Sequence, residues 1–206
     1  LGTNSLLRAA RWESLSNIFS CLFEEPARSF DYVWARAVGQ GGAAAPHCDW
    51  VYMSRGTDRL LTAWIPVMDI PVERGSLIVL PGSHVDNKHT RRDLLLDADR
   101  LGLLDGLRFC NGELVRGGRY SNTPDSVSRQ FGTNWLTTNF ELGDLVILSP
   151  RLLHGTLTNS QDIRFSIDLR FAPCSENIDP RFMGPNPKLH SERDWSIFNL
   201  RNKPKS

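Results

Sequence analysis

The sequence predicts a mainly β protein with flanking helices, built as a sandwich or a jelly roll. One helical pattern near the N-terminus is followed by many short apolar segments that Gly and Pro residues separate. Such segments are typical of antiparallel strands joined by turns. The alternation of strands and helices that builds a dinucleotide-binding fold does not occur in the sequence. Since 206 residues is an ordinary length for one domain, we expect a single domain over residues 1–206.

The first predicted element is an amphipathic helix over residues 5–23. Its apolar residues recur at helical spacings, and Pro26 ends the pattern. Residues 31–38 follow, rich in aromatic and β-branched side chains, and the pattern breaks at Gly39 as a strand does when it enters a loop. The β part of the chain therefore begins soon after the helix.

Four further segments have the composition of strands. Residues 60–67 and 76–80 are apolar runs separated by Pro and Gly, and strand patterns return at 135–139 and 144–148. The clearest strand pattern covers residues 163–171, where apolar and polar residues alternate strictly. Its polar positions are Arg164, Ser166, Asp168 and Arg170. This segment is predicted to be a strand with one unusually polar face.

Two long segments have little pattern. Residues 85–134 lack a clear period, and an insert of this length in a compact domain is typical of a lid or a binding loop. Residues 174–206 are rich in Pro and Asn, so we expect a tail that wraps the surface, with Trp195 and Phe198 as anchors. The chain begins at Leu1 rather than Met, which leads us to expect that some N-terminal structure is missing.

Composition excludes several classes of partner. Lys and Arg number 24 against 23 Asp and Glu, and a net charge of +1 gives no basic excess for nucleic acid. No apolar run is long enough for a membrane helix, and the N-terminus lacks the pattern of a signal peptide. The four cysteines form no CxxC pair. We therefore expect a cytoplasmic monomer or homodimer with a small-molecule substrate, no nucleic acid and no membrane.

Three residues could hold one metal ion. His47 and Asp49 stand two positions apart, so in extended chain they share a face while Cys48 points away. Taken alone, that pair fits a structural or surface role better than a metal site. His154 follows the predicted strand at 144–148 and supplies a second imidazole. Two histidines and a carboxylate on one side of an octahedron leave the other side open, as in non-haem Fe(II) oxygenases.

A 2-oxo acid could fill two of the open positions, and its far carboxylate would then need a cation. Arg164 lies on the polar face of the strand that follows His154, and an arginine fork binds a carboxylate through two hydrogen bonds. Thr156 could add a hydroxyl to the same carboxylate. Arg170 shares that face and remains the alternative, although a salt bridge with Asp168 or another carboxylate is its simpler role.

Four segments of the chain form a recognisable set: PHCDW at 46–50, LTAWIPVMD at 61–69, GSLIVLPGSH at 75–84, and GDLVIL at 143–148 followed by His154-Gly-Thr and Arg164. Together they resemble the phytanoyl-CoA dioxygenase family. Their order and approximate spacing match the family over roughly residues 31–173. No single segment is decisive, but together they form a specific pattern.

The resemblance implies a double-stranded β-helix, the jelly roll of cupin-like proteins, that holds Fe(II) through His47, Asp49 and His154. It further implies that Arg164 binds 2-oxoglutarate with help from Thr156 and Trp64. The enzyme would use O2 and release succinate and CO2. Related halogenases have a small residue at the position of Asp49, so the retained carboxylate indicates a hydroxylase or a desaturase. The sequence does not indicate the substrate.

Two other functions remain open at this stage. The chain could be a β-helix binding module without catalysis, or a cupin-like isomerase or hydrolase that uses Zn(II) or Mn(II), with Arg164 incidental. On composition alone Trp64 belongs to the core. We interpret His84 as a structural hydrogen-bonding residue rather than a ligand. We expect His89 and His190 to be solvated side chains.

Overall fold

The computed structural model describes residues 13–85, 97–99, 106–110, 112–187 and 189–191, and within these ranges the chain is mainly β, as predicted. The elements in chain order are α1 (Glu13–Phe23), β1 (Ala27–Ser29), β2 (Trp34–Val38), β3 (Leu61–Pro66), β4 (Leu77–Val79), β5 (Leu107–Cys110), β6 (Glu113–Arg116), α2 (Pro124–Phe131), β7 (Val146–Leu148), β8 (His154–Thr156) and β9 (Arg164–Pro173). Short 3-10 turns lie at Asp49–Tyr52, Pro180–Phe182 and Leu189–Ser191.

The larger sheet is organised around β9. One edge of this strand pairs antiparallel with β2 and then with β1, and its other edge pairs with β3. Strand β7 lies beyond β3. Because β9 has partners on both edges, its side chains are fixed on the two faces of the sheet.

The smaller sheet contains β4 and β8, and single bridges extend it on both sides. Leu136 pairs with Val79 of β4. On the other side His47 pairs with His154 of β8, and Arg119 pairs with His47. The two sheets therefore bring segments from distant parts of the sequence next to each other, and a cavity lies between them.

The two faces of β9 have opposite roles. Leu169 and Phe171 on the outer face pack against α1, where Phe19 stacks on Phe171 with ring centroids 4.0 Å apart. The four polar residues of the inner face are all buried: Arg164, Ser166, Asp168 and Arg170. The predicted polar face is confirmed, and it faces the interior of the protein.

Residues 106–131 contain structure that the sequence pattern did not predict. Strands β5 and β6 form a hairpin whose exposed face carries Phe109 opposite Leu114. Helix α2 has two apolar residues one turn apart, Val127 and Phe131, that pack on one core cluster, and two residues are too few to give a recognisable helical period. The short hairpin strands do not alternate in the usual way, because apolar side chains face outward. The weak pattern in this segment therefore reflects short elements with little buried surface.

Other expectations had mixed outcomes. Residues 135–139 are not a regular strand, because only Leu136 makes a bridge there, to Val79. The helix ends at Phe23, before Pro26, as predicted. Residues 5–12 of that helix, His89, and the tail anchors Trp195 and Phe198 lie outside the described residues. Among the described helices, none has the length and apolarity required to cross a bilayer.

The contact between α1 and β9 predicts a large stability effect for one residue. Phe19 is 0% exposed, so Phe19→Ala leaves a cavity against Phe171 and lowers the free energy of unfolding by about 3–5 kcal/mol. Leu22 on the same helix is 53% exposed, and Leu22→Ala changes it by no more than about 0.5 kcal/mol. Urea unfolding followed by circular dichroism measures both. Equal effects of the two substitutions would contradict this packing.

Candidate metal centre and its cavity

Three side chains converge between the sheets: His47, Asp49 and His154. Asp49 Oδ1 lies 3.9 Å from His47 Nε2 and 3.8 Å from His154 Nε2. One ligand atom from each residue falls within 4.8 Å of the others. Since metal bonds to such atoms are about 2.0–2.2 Å long, a single ion between the three groups needs only small side-chain movements.

Backbone pairing explains why these residues meet. His47 and His154 exchange two backbone hydrogen bonds of 2.9 Å, which fixes them directly opposite each other. Cys48 is extended, with φ −121° and ψ 147°, so its side chain points to the opposite side from those of His47 and Asp49. Asp49 then opens the 3-10 turn on the same side as His47. The predicted spacing thus gives the expected convergence.

The two imidazole rings are oriented for metal binding. His47 Nδ1 lies 2.8 Å from the carbonyl oxygen of Ala45, and His154 Nδ1 lies 3.0 Å from that of Leu152. A carbonyl oxygen can only accept, so each Nδ1 carries the proton. In both rings Nε2 is therefore the nitrogen left for a metal ion, and it points toward Asp49. Hydrogen bonds of this kind fix ring orientation in metal sites.

Asp49 is held as a carboxylate from behind. Its Oδ2 accepts hydrogen bonds from Thr62 Oγ1 at 2.9 Å and from Arg170 Nη2 at 2.8 Å. Burial alone would raise the pKa of Asp49, but Arg170 and the two histidines outweigh burial and hold it well below its usual range. Oδ1 is consequently left charged and directed at the two imidazoles.

The pKa shifts of His47 and Cys48 distinguish a candidate metal ligand from a residue that is not one. Burial, and then repulsion from His154, lowers the pKa of His47 to about 3, with Asp49 opposing the shift. His47 is therefore a neutral imidazole at neutral pH, the form that binds metals. Burial, and then the charge of Asp49, raises the pKa of Cys48 to about 12. Cys48 remains a thiol in an apolar cluster and is neither a ligand nor a nucleophile.

A cavity of about 360 Å³ adjoins the three residues and contains Arg164. The Arg164 side chain is buried, Nη1 donates to Ser166 Oγ at 3.2 Å, and Nε has no hydrogen-bond partner in the described part of the chain. Burial, then repulsion from Arg36, lowers the pKa of Arg164, with Asp168 opposing. A guanidinium stays charged in spite of this, so Arg164 is a buried cation whose donors are not all satisfied.

Thr156 and Trp64 lie on the same cavity. The Oγ1 of Thr156 accepts a hydrogen bond from the backbone N–H of Ala44 at 2.8 Å, which leaves the hydroxyl proton available to a ligand. Trp64 is buried and packs edge-to-face on Phe140, with ring centroids 4.9 Å apart. All six residues that the sequence analysis selected, three for the metal and three for the oxo acid, therefore line one cavity.

Arg170 has a different environment from Arg164. Its Nη2 is bonded to Asp49, its Nη1 lies 3.6 Å from Asp168, and its guanidinium lies 4.4 Å from the ring centroid of Trp34. This guanidinium is already engaged by protein carboxylates. Arg164 is thus the better candidate for a ligand carboxylate, whereas Arg170 positions Asp49.

The sequence analysis did not select Thr62 and Arg36. Thr62 stands opposite Arg170 in the pairing of β3 with β9, so both side chains point into the cavity. Arg36 stands opposite Ser166, and its Nε donates to Asp168 Oδ2 at 2.5 Å. Both residues lie opposite the polar face of β9, which the sequence did predict. They could not be selected from the sequence because it does not give the register of β2 and β3 against β9.

The donor set and the charge of the cavity fit a metal ion with an oxo acid. Two imidazoles and a carboxylate form the set found in non-haem iron sites. The described lining contains three guanidinium groups, Arg36, Arg164 and Arg170, against the carboxylates of Asp49 and Asp168. A divalent cation would add to this positive excess, and a dianionic ligand would offset it.

Comparison with known proteins is consistent with this geometry. The family model of phytanoyl-CoA dioxygenase (PhyH) matches residues 4–166. Among curated proteins, none matches the sequence. Three solved structures share the fold: SnoN, an α-ketoglutarate-dependent epimerase of nogalamycin biosynthesis, SnoK, a carbocyclase of the same biosynthesis, and HygX from Streptomyces hygroscopicus.

The similarities are those of a shared architecture. SnoN, solved with Fe3+, α-ketoglutarate and nogalamycin RO, is 20% identical with a TM-score of 0.61, over 89% of this chain and 68% of its own. For SnoK the values are 19%, 0.58, 81% and 58%. HygX, solved with nickel, 2-oxoglutarate and hygromycin B, gives 17%, 0.54, 81% and 64%. The chain spans 66% of SnoN in a further crystal structure of that epimerase and 58% of SnoK. The jelly-roll fold is confirmed.

The hydrogen bond from Thr62 to Asp49 predicts an effect on metal affinity. Thr62→Val removes the hydroxyl at nearly constant volume, and we expect Ni(II) to bind about 10–100-fold more weakly, as for other residues that orient metal ligands. Calorimetric titration measures the affinity. Thr158 is exposed, and Thr158→Val serves as the control with unchanged affinity. Equal affinities for wild type and Thr62→Val would show that the hydroxyl does not support Asp49.

Proposed function

The chain belongs to the phytanoyl-CoA dioxygenase family, and from this premise we propose that it is a non-haem Fe(II) enzyme that uses 2-oxoglutarate and O2 to oxidise a C–H bond of a small molecule. One observation carries the proposal. The two histidines and the aspartate share a cavity with Arg164, a buried guanidinium that the described part of the protein leaves without a carboxylate. A metal site alone would not require that arginine.

In this proposal His47, Asp49 and His154 hold Fe(II). The Nδ1–H bonds to Ala45 and Leu152 keep the rings in place, and Thr62 with Arg170 keeps Asp49 Oδ1 directed at the ion. Since Asp49 is held as a carboxylate and His47 as a neutral imidazole, neither of these two groups has to release a proton when the metal binds.

Arg164 binds the far carboxylate of 2-oxoglutarate, and Thr156 donates its hydroxyl proton to the same group. An arginine fork gives this contact both charge and direction. Trp64 forms a wall of the cavity, and its packing on Phe140 fixes that wall. Because Arg164 is buried, the far carboxylate of 2-oxoglutarate has to enter the cavity first.

When bound, Fe(II) and 2-oxoglutarate supply the oxygen activation, in which 2-oxoglutarate and O2 become succinate and CO2 while the substrate is oxidised. The chain's own residues bind, orient and exclude water. Asp49, Arg164 and Arg170 are buried between the sheets, so this part of the cavity is shielded from bulk water.

We further propose hydroxylation or desaturation as the outcome, because Asp49 supplies the carboxylate ligand that a halide would otherwise replace. The similar folds SnoN and SnoK are an epimerase and a carbocyclase, so product analysis is needed to identify the outcome. No observation on the described residues favours the binding module or the isomerase or hydrolase that uses Zn(II) or Mn(II). Metal analysis of the purified protein, together with the effect of Arg164 substitutions, separates the latter from the proposal.

The proposed function makes a first prediction about complex formation. Anaerobic addition of Fe(II) and 2-oxoglutarate to the protein should produce the weak visible charge-transfer band of the chelate, and admission of air should produce succinate. His154→Ala should abolish both signals, because it removes a ligand. His84 is exposed and outside the cavity, so His84→Ala should retain both. A wild-type protein that gives no band and binds no 2-oxoglutarate by calorimetry would refute the proposed function.

The second prediction separates the two arginines. Arg164→Lys retains the charge but loses the fork, so the affinity for 2-oxoglutarate should fall about 10–100-fold while that for Ni(II) changes little. Arg170→Lys should weaken Ni(II) binding as well, because Arg170 holds Asp49. Calorimetry with each ligand measures both effects, and Arg129→Lys on the surface is the control. Unchanged 2-oxoglutarate affinity in Arg164→Lys would mean that Arg164 is not the anchor.

A further inference from the structure

A second cavity, of about 310 Å³, opens on two of the three metal-binding candidates, His47 and Asp49. It shares His47, Asp49, Arg36 and Arg170 with the first cavity, but Arg164, Thr156 and Trp64 lie only on the first. The residues found only on the second are Trp34, Ala45, Tyr52, Met53, Arg119 and His190. If 2-oxoglutarate occupies the first cavity, as the proposed function requires, then the second is the space from which a substrate reaches the metal.

The smaller sheet directs Arg119 toward this space. Arg119 pairs with His47, which pairs with His154, so the three residues form one row across neighbouring segments. Residues directly opposite each other in a sheet project from the same face. The backbone N–H of Tyr120 donates to the carbonyl oxygen of Pro46 at 2.8 Å, which fixes this register. Arg119 therefore faces the same side as the two imidazoles.

The cationic groups of the second cavity differ in whether a carboxylate of the protein already binds them. Arg36 is bonded to Asp168, Arg170 to Asp49, and His190 Nδ1 lies 3.0 Å from Asp99 Oδ1. The Arg119 side chain makes no hydrogen bond or ion pair within the described part of the chain. The carboxylate in the described lining is that of Asp49, which Arg170 already engages. The cavity thus presents one uncommitted cation and no uncommitted anion among its described residues.

The remaining walls are aromatic. Trp34 lies under the guanidinium of Arg170, and Tyr52 stands edge-on to both His47 and His190. The Tyr52 hydroxyl oxygen accepts from the backbone N–H of Gly118 at 2.9 Å, so its proton remains available. A ligand with an apolar or ring body and an anionic end complements these walls.

We propose that Arg119 selects the substrate by binding an anionic group, a carboxylate or a phosphate monoester, while the body of the substrate lies between Trp34 and Tyr52. This proposal rests on the proposed function, because the second cavity is assigned to the substrate only if 2-oxoglutarate occupies the first. Arg119 sets the distance between the anion and the carbon that is presented to the metal. Molecules without an anion at that distance are poor substrates.

The test uses the intact protein saturated with Ni(II) and 2-oxoglutarate, so that the first cavity is occupied and no turnover occurs. Phenylacetate and phenyl phosphate are compared with the neutral phenylacetamide by calorimetry. We expect at least one anionic probe to bind about tenfold or more tightly than the amide, the size of one charge-assisted hydrogen bond. The stronger of the two anions identifies the group that the site prefers.

Arg119→Gln should reduce that preference to about twofold or less, and Arg119→Lys should retain part of it because the charge remains. Arg116 is the matched control: it is an exposed arginine on β6 that lines neither cavity, and Arg116→Gln should keep the full preference. Thermal melting checks that each variant is folded. Equal binding of acid and amide, no binding of either, or a preference that survives Arg119→Gln would overturn the inference.

The same samples separate this inference from the proposed function. Binding of 2-oxoglutarate is measured before the probes are added, and the probe titrations are repeated without it. A protein that binds 2-oxoglutarate but shows no anion preference retains the proposed function and loses the role of Arg119. A protein that binds no 2-oxoglutarate but prefers the anion through Arg119 loses the proposed function and retains an anion site.

Discussion

The structure depends on one buried ion pair, between Asp49 and Arg170. It joins the segment that carries His47 to β9, and hence the smaller sheet to the larger one. Both side chains are almost fully buried, at 4% and 2% exposure, so removal of either partner would leave a buried charge without its closest counter-charge. The pair matters more for the orientation of the Asp49 carboxylate than for the stability of the fold. Since Arg170 and Thr62 occupy Oδ2, only Oδ1 can face the imidazoles, and the geometry of the centre follows from that constraint.

This arrangement separates stability from function on the two faces of one strand. The outer face of β9 supplies apolar contacts with α1, including the stacked rings of Phe19 and Phe171. The inner face buries charged groups, and several polar atoms there have no hydrogen-bond partner in the described part of the chain: Arg164 Nε, Asp168 Oδ1, and Nε and Nη1 of Arg170. Unsatisfied buried groups destabilise a fold, so their clustering around one cavity is what a binding site requires and a plain core does not.

Sequence patterns predicted the parts of this site that depend on local periodicity. Alternation placed His47 and Asp49 on one side and gave β9 its polar face. The same alternation could not distinguish Arg164 from Arg170, because both have the same parity along the strand. Their roles differ through cross-strand neighbours: Arg164 stands opposite Val38, whereas Arg170 stands opposite Thr62 and reaches Asp49. The pairing of Arg119 with His47 joins segments with no local signal between them, so it could not be found without the fold.

The two cavities differ in how firmly their residues are held, and this difference has a consequence for specificity. At the metal candidates, Asp49 is fixed by Thr62 and Arg170 from two strands of the larger sheet, and each imidazole by a carbonyl group of its own segment. A substitution there disturbs several contacts together. Arg119 is held through its backbone, and its exposed side chain makes no described contact that the centre needs. The chemistry of a ligand's distant end can therefore be changed at Arg119 while the geometry of the centre is preserved, because binding selectivity and metal geometry rest on different side chains.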